Sequence, residues 1–250
     1  MCFISMAFSI LFFCLLRHIV MLSLSGVVGQ GKTNCCLWEL EMLLLACREH
    51  GIKLSVSICD FKGIDFKFLE GYPLYYSAEE CYIGIADYYQ KFTELRKKGQ
   101  TSPNHRYLLI FDELASAVSY LKTKEKNKSK QTSTELLTST QLIGINAELL
   151  MMGRSCGGGF GVWTCTQYGT SDLFGGARLN YMITISLGRQ NKEQVNMLFS
   201  GEDIPKNRIY KPGEGLLLAD GHILTEVKYP MLDMEKCERL IRGLLFENIS

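Results

Sequence analysis

An apolar run, IVMLSLS at 19–25, breaks into Gly26-Val27-Val28-Gly29-Gln30-Gly31-Lys32-Thr33, after which apolar spacing resumes through residue 50. This G-x-x-x-x-G-K-T pattern constrains the fold more than any other feature. It belongs to a loop that follows a buried strand and opens a helix. Its glycines reach backbone conformations that other residues avoid, so the loop can wrap closely with its N–H groups turned inward. The helix behind it adds the positive end of its dipole. Such a nest binds phosphate. Lys32 is placed to reach the β and γ phosphates of a nucleotide, and Thr33 to set its hydroxyl on Mg²⁺. A chance glycine turn is the plain alternative, and the strand-then-helix context argues against it.

A nucleotide site also needs an acid to hold the metal and a group to activate water. RYLLIFDEL, 106–114, reads as a buried strand ending in two acids. Asp112 is the metal-holding candidate, and Glu113 the base that polarises the attacking water. Strand ends often carry acids for solubility alone, but here the phosphate loop lies upstream. FGVWTCTQ, 160–167, is a further strand that ends in Thr166-Gln167. If it lies between the loop strand and the acid strand, Gln167 sits beside the γ phosphate and senses hydrolysis.

The rest of the chain alternates strand and helix. KLSVSICD (53–60) and YMITISL (181–187) read as strands, and 32–50 as a helix stopped by Gly51. Ser77 with Glu80 has the form of a capping box opening a helix to about residue 98, and Thr132 with Glu135 another opening one to about 152. Asp220-Gly221 between two apolar runs signals a hairpin over 215–227. A last amphipathic helix covers about 232–246. Strands alternating with helices give an α/β fold with a mainly parallel sheet.

Of the 250 residues 47% are apolar, enough to bury the core of one large domain, taken as 18–250. The net charge of +1 excludes a global polyanion-binding character, so any nucleic-acid surface must be local. Ten cysteines form no CxxC pair, and several of them, Cys35, Cys36, Cys47 and Cys59, sit in apolar runs, as buried thiols of a reducing compartment such as the cytoplasm do. Residues 1–17 begin with sixteen nearly uncharged apolar residues before Arg17. They lack the features of a cleaved signal peptide and are short for a spanning helix. They read as a buried or irregular start, or as the remnant of a membrane anchor.

Together these residues resemble the FtsK/SpoIIIE family of DNA-translocating ATPases, within the HerA–FtsK class. Four marks agree in order: the phosphate loop; Asp60-Phe61-Lys62-Gly63, where the family has Asp-Pro-Lys; Asp112-Glu113; and Gly153-Arg154-Ser155-Cys156-Gly157 ahead of Thr166-Gln167. The closing KPGEGLLLADGHILTEVKYP is similar to that motor's terminal hairpin. The resemblance covers roughly residues 18–230. Phe61 replaces the family's proline, and Tyr168-Gly169 its Arg-Pro, so the chain would be a divergent member. The resemblance implies a RecA-like P-loop NTPase with a C-terminal β-hairpin. It implies binding of ATP and Mg²⁺, assembly as a homo-oligomeric, hexameric ring, and translocation of double-stranded DNA. A membrane-associated transfer or division machinery is the implied setting. Rings of this family complete each site with a neighbour's arginine. Arg154 best matches a family position, and Arg178 and Arg189 are further candidates; each also reads as an ordinary surface arginine.

Other features are weaker. Asp60 and Lys62 read as loop-positioning residues or as a plain polar strand end. Lys122, Lys124, Lys126, Lys128 and Lys130 form a lysine-rich loop, 121–131, able to meet phosphates or merely solvated. The tyrosines at 75, 76, 82, 88 and 89 read as packing more than as base-stacking surfaces. Two rival functions stand beside the motor: a protein-secretion or coupling ATPase, and a nucleotide-gated assembly module without turnover.

Overall fold

The computed structural model describes residues 21–99, 104–127, 137–155, 159–167, 171–174, 176–189, 191–206 and 208–248. The strands are β1 (Leu22–Ser25), β2 (Lys53–Asp60), β3 (Tyr75–Ser77), β4 (His105–Asp112), β5 (Phe160–Thr166), β6 (Ile183–Leu187), β7 (Glu214–Ala219) and β8 (Thr225–Lys228). They form one sheet in the order β3-β2-β4-β5-β1-β6-β7-β8. The pairings from β3 across to β6 are parallel, and β7 and β8 add an antiparallel hairpin at one edge. β1 and β5 are buried at every position, as a parallel sheet covered on both faces requires. Trp163 of β5, fully buried, marks the centre of the core.

The helices are α1 (Lys32–Glu49), α2 (Cys81–Lys97), α3 (Leu114–Asn127), α4 (Ser139–Met152), α5 (Lys192–Leu198) and α6 (Met234–Glu247). α1 packs on α6 and α3 on α4, two groups that flank the sheet. Tyr82 and Tyr88 are buried and donate their hydroxyl protons to main-chain carbonyls of Ala117 and Gly161, so these rings serve packing.

The expected α/β alternation holds, with local corrections. Residues 114–127 are helical, so the lysine-rich segment is not a loop as far as Asn127. Its buried residues Leu114, Ala117, Val118 and Leu121 recur at helical spacing and seat α3 on the core. Lys122 and Lys126 then share one exposed face, while Lys124 pairs with Glu79 at 2.7 Å. Lys128 and Lys130 lie outside the described residues. So does the Thr132–Glu135 box. α4 begins at Ser139 instead, through a capping box between Thr138 and Gln141. Ser77 makes no side-chain cap; a 3₁₀ turn, Ala78–Glu80, intervenes and α2 starts at Cys81. β3 and α5 are short elements that the apolar pattern does not announce. Residues 1–20 lie outside the described residues. Among those described, no helix is long and apolar enough to cross a membrane.

The hairpin is docked tightly. A Cβ on Gly215 would fall 1.9 Å from the carbonyl oxygen of Ser186, which is main chain and cannot swing away. Gly215→Ala is expected to lower stability by about 1–3 kcal/mol, through overpacking at the β6–β7 pair. A urea-melt midpoint unchanged from wild type would refute this.

Candidate functional site

Parallel register brings separated segments to one edge of the sheet. Ser25 pairs with Thr166, Cys165 with Asp112, and Asp112 with Asp60. The loops that leave β1, β5, β4 and β2 therefore emerge side by side at the carboxyl ends of the strands, where open α/β sheets bind ligands. β5 lies between β1 and β4, the condition the sequence set for Gln167.

Residues 26–31 form the loop between β1 and α1. Gly31, at φ 89°, occupies the N-cap of α1 in the left-handed region. A Cβ there would also crowd Gly213 N at 3.2 Å. No side chain caps the helix, and its first turn carries no acid. Its leading N–H groups are thus left for an anion. The Lys32 ammonium donates to the Gly26 carbonyl at 2.8 Å, folding the lysine back over the loop. Val28 and Gly29 are exposed at the tip, and Gln30 packs over Gly188 behind β6.

Asp112 ends β4 and is buried; its Oδ2 has no hydrogen-bond partner. Burial pushes its carboxyl well above the usual range, and Asp65, Glu113 and Asp60 push it further, with Lys62 opposing them. An unpartnered carboxylate crowded by other acids fits a cation, and the Thr33 hydroxyl lies close to the same group of acids. Among the described residues no cluster of three or more His, Cys, Asp or Glu is arranged to hold a metal by itself. The Thr33 hydroxyl and the free Asp112 oxygen are hard oxygen donors, a type that suits Mg²⁺.

Glu113 follows in the left-handed region, at φ 61°. For a non-glycine residue that strain costs roughly 1–3 kcal/mol and tends to gather at functional sites. It is repaid by contacts. The Glu113 amide donates to the Cys165 carbonyl at 2.9 Å. Lys62 donates to its Oε1 at 2.7 Å and Gln167 to the same oxygen at 3.0 Å, while Ser116 donates to Oε2 at 3.1 Å. Burial alone would raise this carboxyl, but the Lys62 and Gln167 hydrogen bonds and the charges of Lys62 and Lys32 hold it below the usual glutamate range. A groove of about 510 Å³ opens beside it, lined by Glu113, Ser116, Ser119, Lys122, Gln167 and Leu173.

The segment after β2 supplies two of these contacts. Asp60 is fully buried and accepts from the amides of Gly63 and Phe66, both at 2.9 Å. It organises the turn that presents Lys62 to Glu113 and Asp65 to Thr33. The Thr33 hydroxyl donates to Asp65 Oδ1 at 3.0 Å. No motif marks Asp65 in the sequence; its only local sign is an acid five residues after the β2 terminus. Arg242 of α6 donates to the carbonyls of Phe68 and Glu70, at 2.6 and 3.0 Å, and holds the rest of the segment.

The arginines divide between the two edges. Arg154, exposed, stands in the 3₁₀ turn Gly153–Ser155 ahead of β5, at the end of the sheet opposite the phosphate loop. Seven strand residues, about 23 Å, separate those edges. Arg178 is half-buried ahead of β6, also at that far edge, and one of its Nη atoms is buried without a partner. Arg189 is exposed just after β6, on the phosphate-loop edge.

Comparison with solved structures gives the same architecture. The conjugation coupling protein TcpA of pCW3 superposes over 91% of this chain with a TM-score of 0.64 at 16% identity. The Type VII secretion ATPase EccC of Thermomonospora curvata matches over 90% with a TM-score of 0.53 at 16% identity. The genome packaging NTPase B204 of Sulfolobus turreted icosahedral virus 2 matches over 86% with a TM-score of 0.52 at 18% identity. The fold is that of the RecA-like P-loop ATPases. The chain spans 66% of the TcpA chain and 27% of EccC, but 98% of B204. No protein-family model and no curated protein matches the sequence.

Proposed function

We propose that this chain is an ATP-hydrolysing motor domain of the FtsK/SpoIIIE type that moves double-stranded DNA through a homo-oligomeric ring. The observation that carries this reading is the meeting of 26–33, 60–65, 112–113 and 167 at one sheet edge. There an uncapped helix start, an orphaned buried carboxylate and a fixed glutamate stand together. The ATP phosphates lie in loop 26–31 with Lys32 on the β and γ groups. Thr33 and Asp112 would hold Mg²⁺, which would supply positive charge against the charge that develops on the phosphates. Glu113 takes the proton of the attacking water. Gln167, bonded to the same carboxylate, passes the change along β5 when the γ phosphate leaves.

Arg154 is too far from its own loop to serve it, so its role as a charge-stabilising arginine is toward a neighbouring subunit in the hexamer. Lys122 and Lys126 give α3 a basic face near the groove, suited to phosphates without base readout. The likeness to a conjugation coupling protein and a genome packaging NTPase supports DNA as cargo. The likeness to a secretion ATPase supports a second reading, in which the cargo is a polypeptide.

Steady-state ATP hydrolysis with and without linear duplex DNA tests this. Turnover is expected to rise with duplex and to fall about 10²-fold or more in Lys32→Ala, which loses its phosphate contact. Stimulation by a protein substrate and none by duplex would favour secretion. ATP binding without turnover under either condition would overturn the motor.

A further inference from the structure

Thr33 gives its proton to a residue that the ordinary two-ligand description of such sites leaves out. A hydroxyl has one proton and two acceptor lone pairs. If that proton went to Asp112, it would occupy an oxygen needed for the cation. Here it goes to Asp65 Oδ1 at 3.0 Å, and Asp112 Oδ2 is left buried and free, in a residue only 5% exposed. Asp65 is half-buried and its place is set from outside the site. Asp60 gathers the Gly63 and Phe66 amides on either side of it, and Arg242 ties down the carbonyls of Phe68 and Glu70.

We propose that Asp65 is a positioning residue for the nucleotide's divalent cation, acting through Thr33. By accepting the hydroxyl proton it turns the Thr33 lone pairs toward the metal and keeps Asp112 free as the anionic ligand. This rests on the ATP–Mg²⁺ reading above. Outer carboxylates that orient a metal ligand typically contribute 10–100-fold in metal affinity. Asp65 also adds negative charge beside Asp112 and so deepens the attraction for a cation. It spans two loops that share no motif.

The test separates metal-dependent from metal-independent binding. The affinity of a fluorescent, non-hydrolysed ATP analogue is measured in Mg²⁺ and in EDTA for wild type, Asp65→Ala, Asp65→Asn and Lys32→Ala. Mn²⁺ binding to the nucleotide complex is followed by EPR. The wild type is expected to gain affinity with Mg²⁺. Asp65→Ala should lose about 10-fold or more of that gain, with its EDTA affinity unchanged. Asp65→Asn keeps an acceptor oxygen but loses the charge, and should lie between. Lys32→Ala should lose affinity in both buffers. Equal weakening of Asp65→Ala in Mg²⁺ and EDTA would mean that Asp65 only shapes the loop, and would overturn the proposal. A full Mg²⁺ gain and wild-type Mn²⁺ signal in both Asp65 variants would overturn it too. If the wild type itself binds no nucleotide, the ATPase reading fails first and Asp65 falls with it, a pattern distinct from either of those.

Discussion

Glu113→Gln is expected to lower ATP turnover by about 10²–10⁴-fold while nucleotide affinity stays near wild type. The substitution is close to isosteric. A glutamine here can still accept from Lys62 and Gln167 through its carbonyl oxygen, so the loop geometry should survive. What is lost is the ability to take a proton from water. The anion is also lost as a partner for Lys62, but that ammonium is 38% exposed and can be solvated instead. The neighbouring contacts make the prediction sharper. Because Lys62 and Gln167 outweigh burial and hold the carboxyl below the usual range, Glu113 is ionised throughout the neutral region. Turnover at pH 6–8 should therefore not be limited by its protonation. Single-turnover hydrolysis and analogue binding, measured on the same preparation, check both halves. Turnover within a few-fold of wild type would remove Glu113 as the base and direct attention to another group at the groove.

How far the site could be read in advance follows from how far apart in sequence its parts lie. The loop at 26–33 and the Asp112-Glu113 pair are contiguous, and their strand context is visible in the apolar runs on either side. Gln167 needed only the assumption that β5 lies between β1 and β4, which the sheet order fulfils. Lys62 to Glu113 and Thr33 to Asp65 are different. They exist because β2 lies beside β4 and because Asp60 folds the next turn back over the sheet edge. No spacing rule links 33 to 65 or 62 to 113. Helix α3 was readable but concealed. Its buried positions 114, 117, 118 and 121 have helical spacing, yet lysines at every second position draw attention to charge instead. The Thr-x-x-Glu/Gln form occurs at both 132 and 138, and the local sequence does not rank the two. At 138 packing supplies what the sequence does not show, for Ser139 at the start of α4 is tied to Glu125 of α3 by its amide and hydroxyl.

A large pH effect on stability should come from Glu39. It lies seven residues into α1, about 10 Å along the helix from Lys32, and is 1% exposed. Neither carboxylate oxygen has a hydrogen-bond partner. Burial pushes this carboxyl from the ordinary value of 4.5 to about 8, and the neighbouring Tyr229 hydroxyl offsets only part of the rise. The folded chain therefore keeps the proton between those values while the unfolded chain gives it up. With fewer protons bound in the unfolded state, stability falls as pH rises. The contribution is fully present below about 4.5 and is lost by the time pH passes about 8. At 1.36 kcal/mol per unit this amounts to about 5 kcal/mol. Cys35 and Tyr229, which face Glu39, are themselves pushed up by burial, so neither titrates ahead of it. Glu39→Gln removes the titration and keeps the shape. Its urea-melt stability should fall less steeply from pH 5 to 8.5 than that of the wild type, leaving the variant the more stable at the alkaline end. The comparison of slopes matters more than either absolute value, since the amide brings its own unmet hydrogen bonds. A wild-type slope that survives the substitution would assign the proton to Asp112 or Asp60, whose buried carboxyls are also pushed upward.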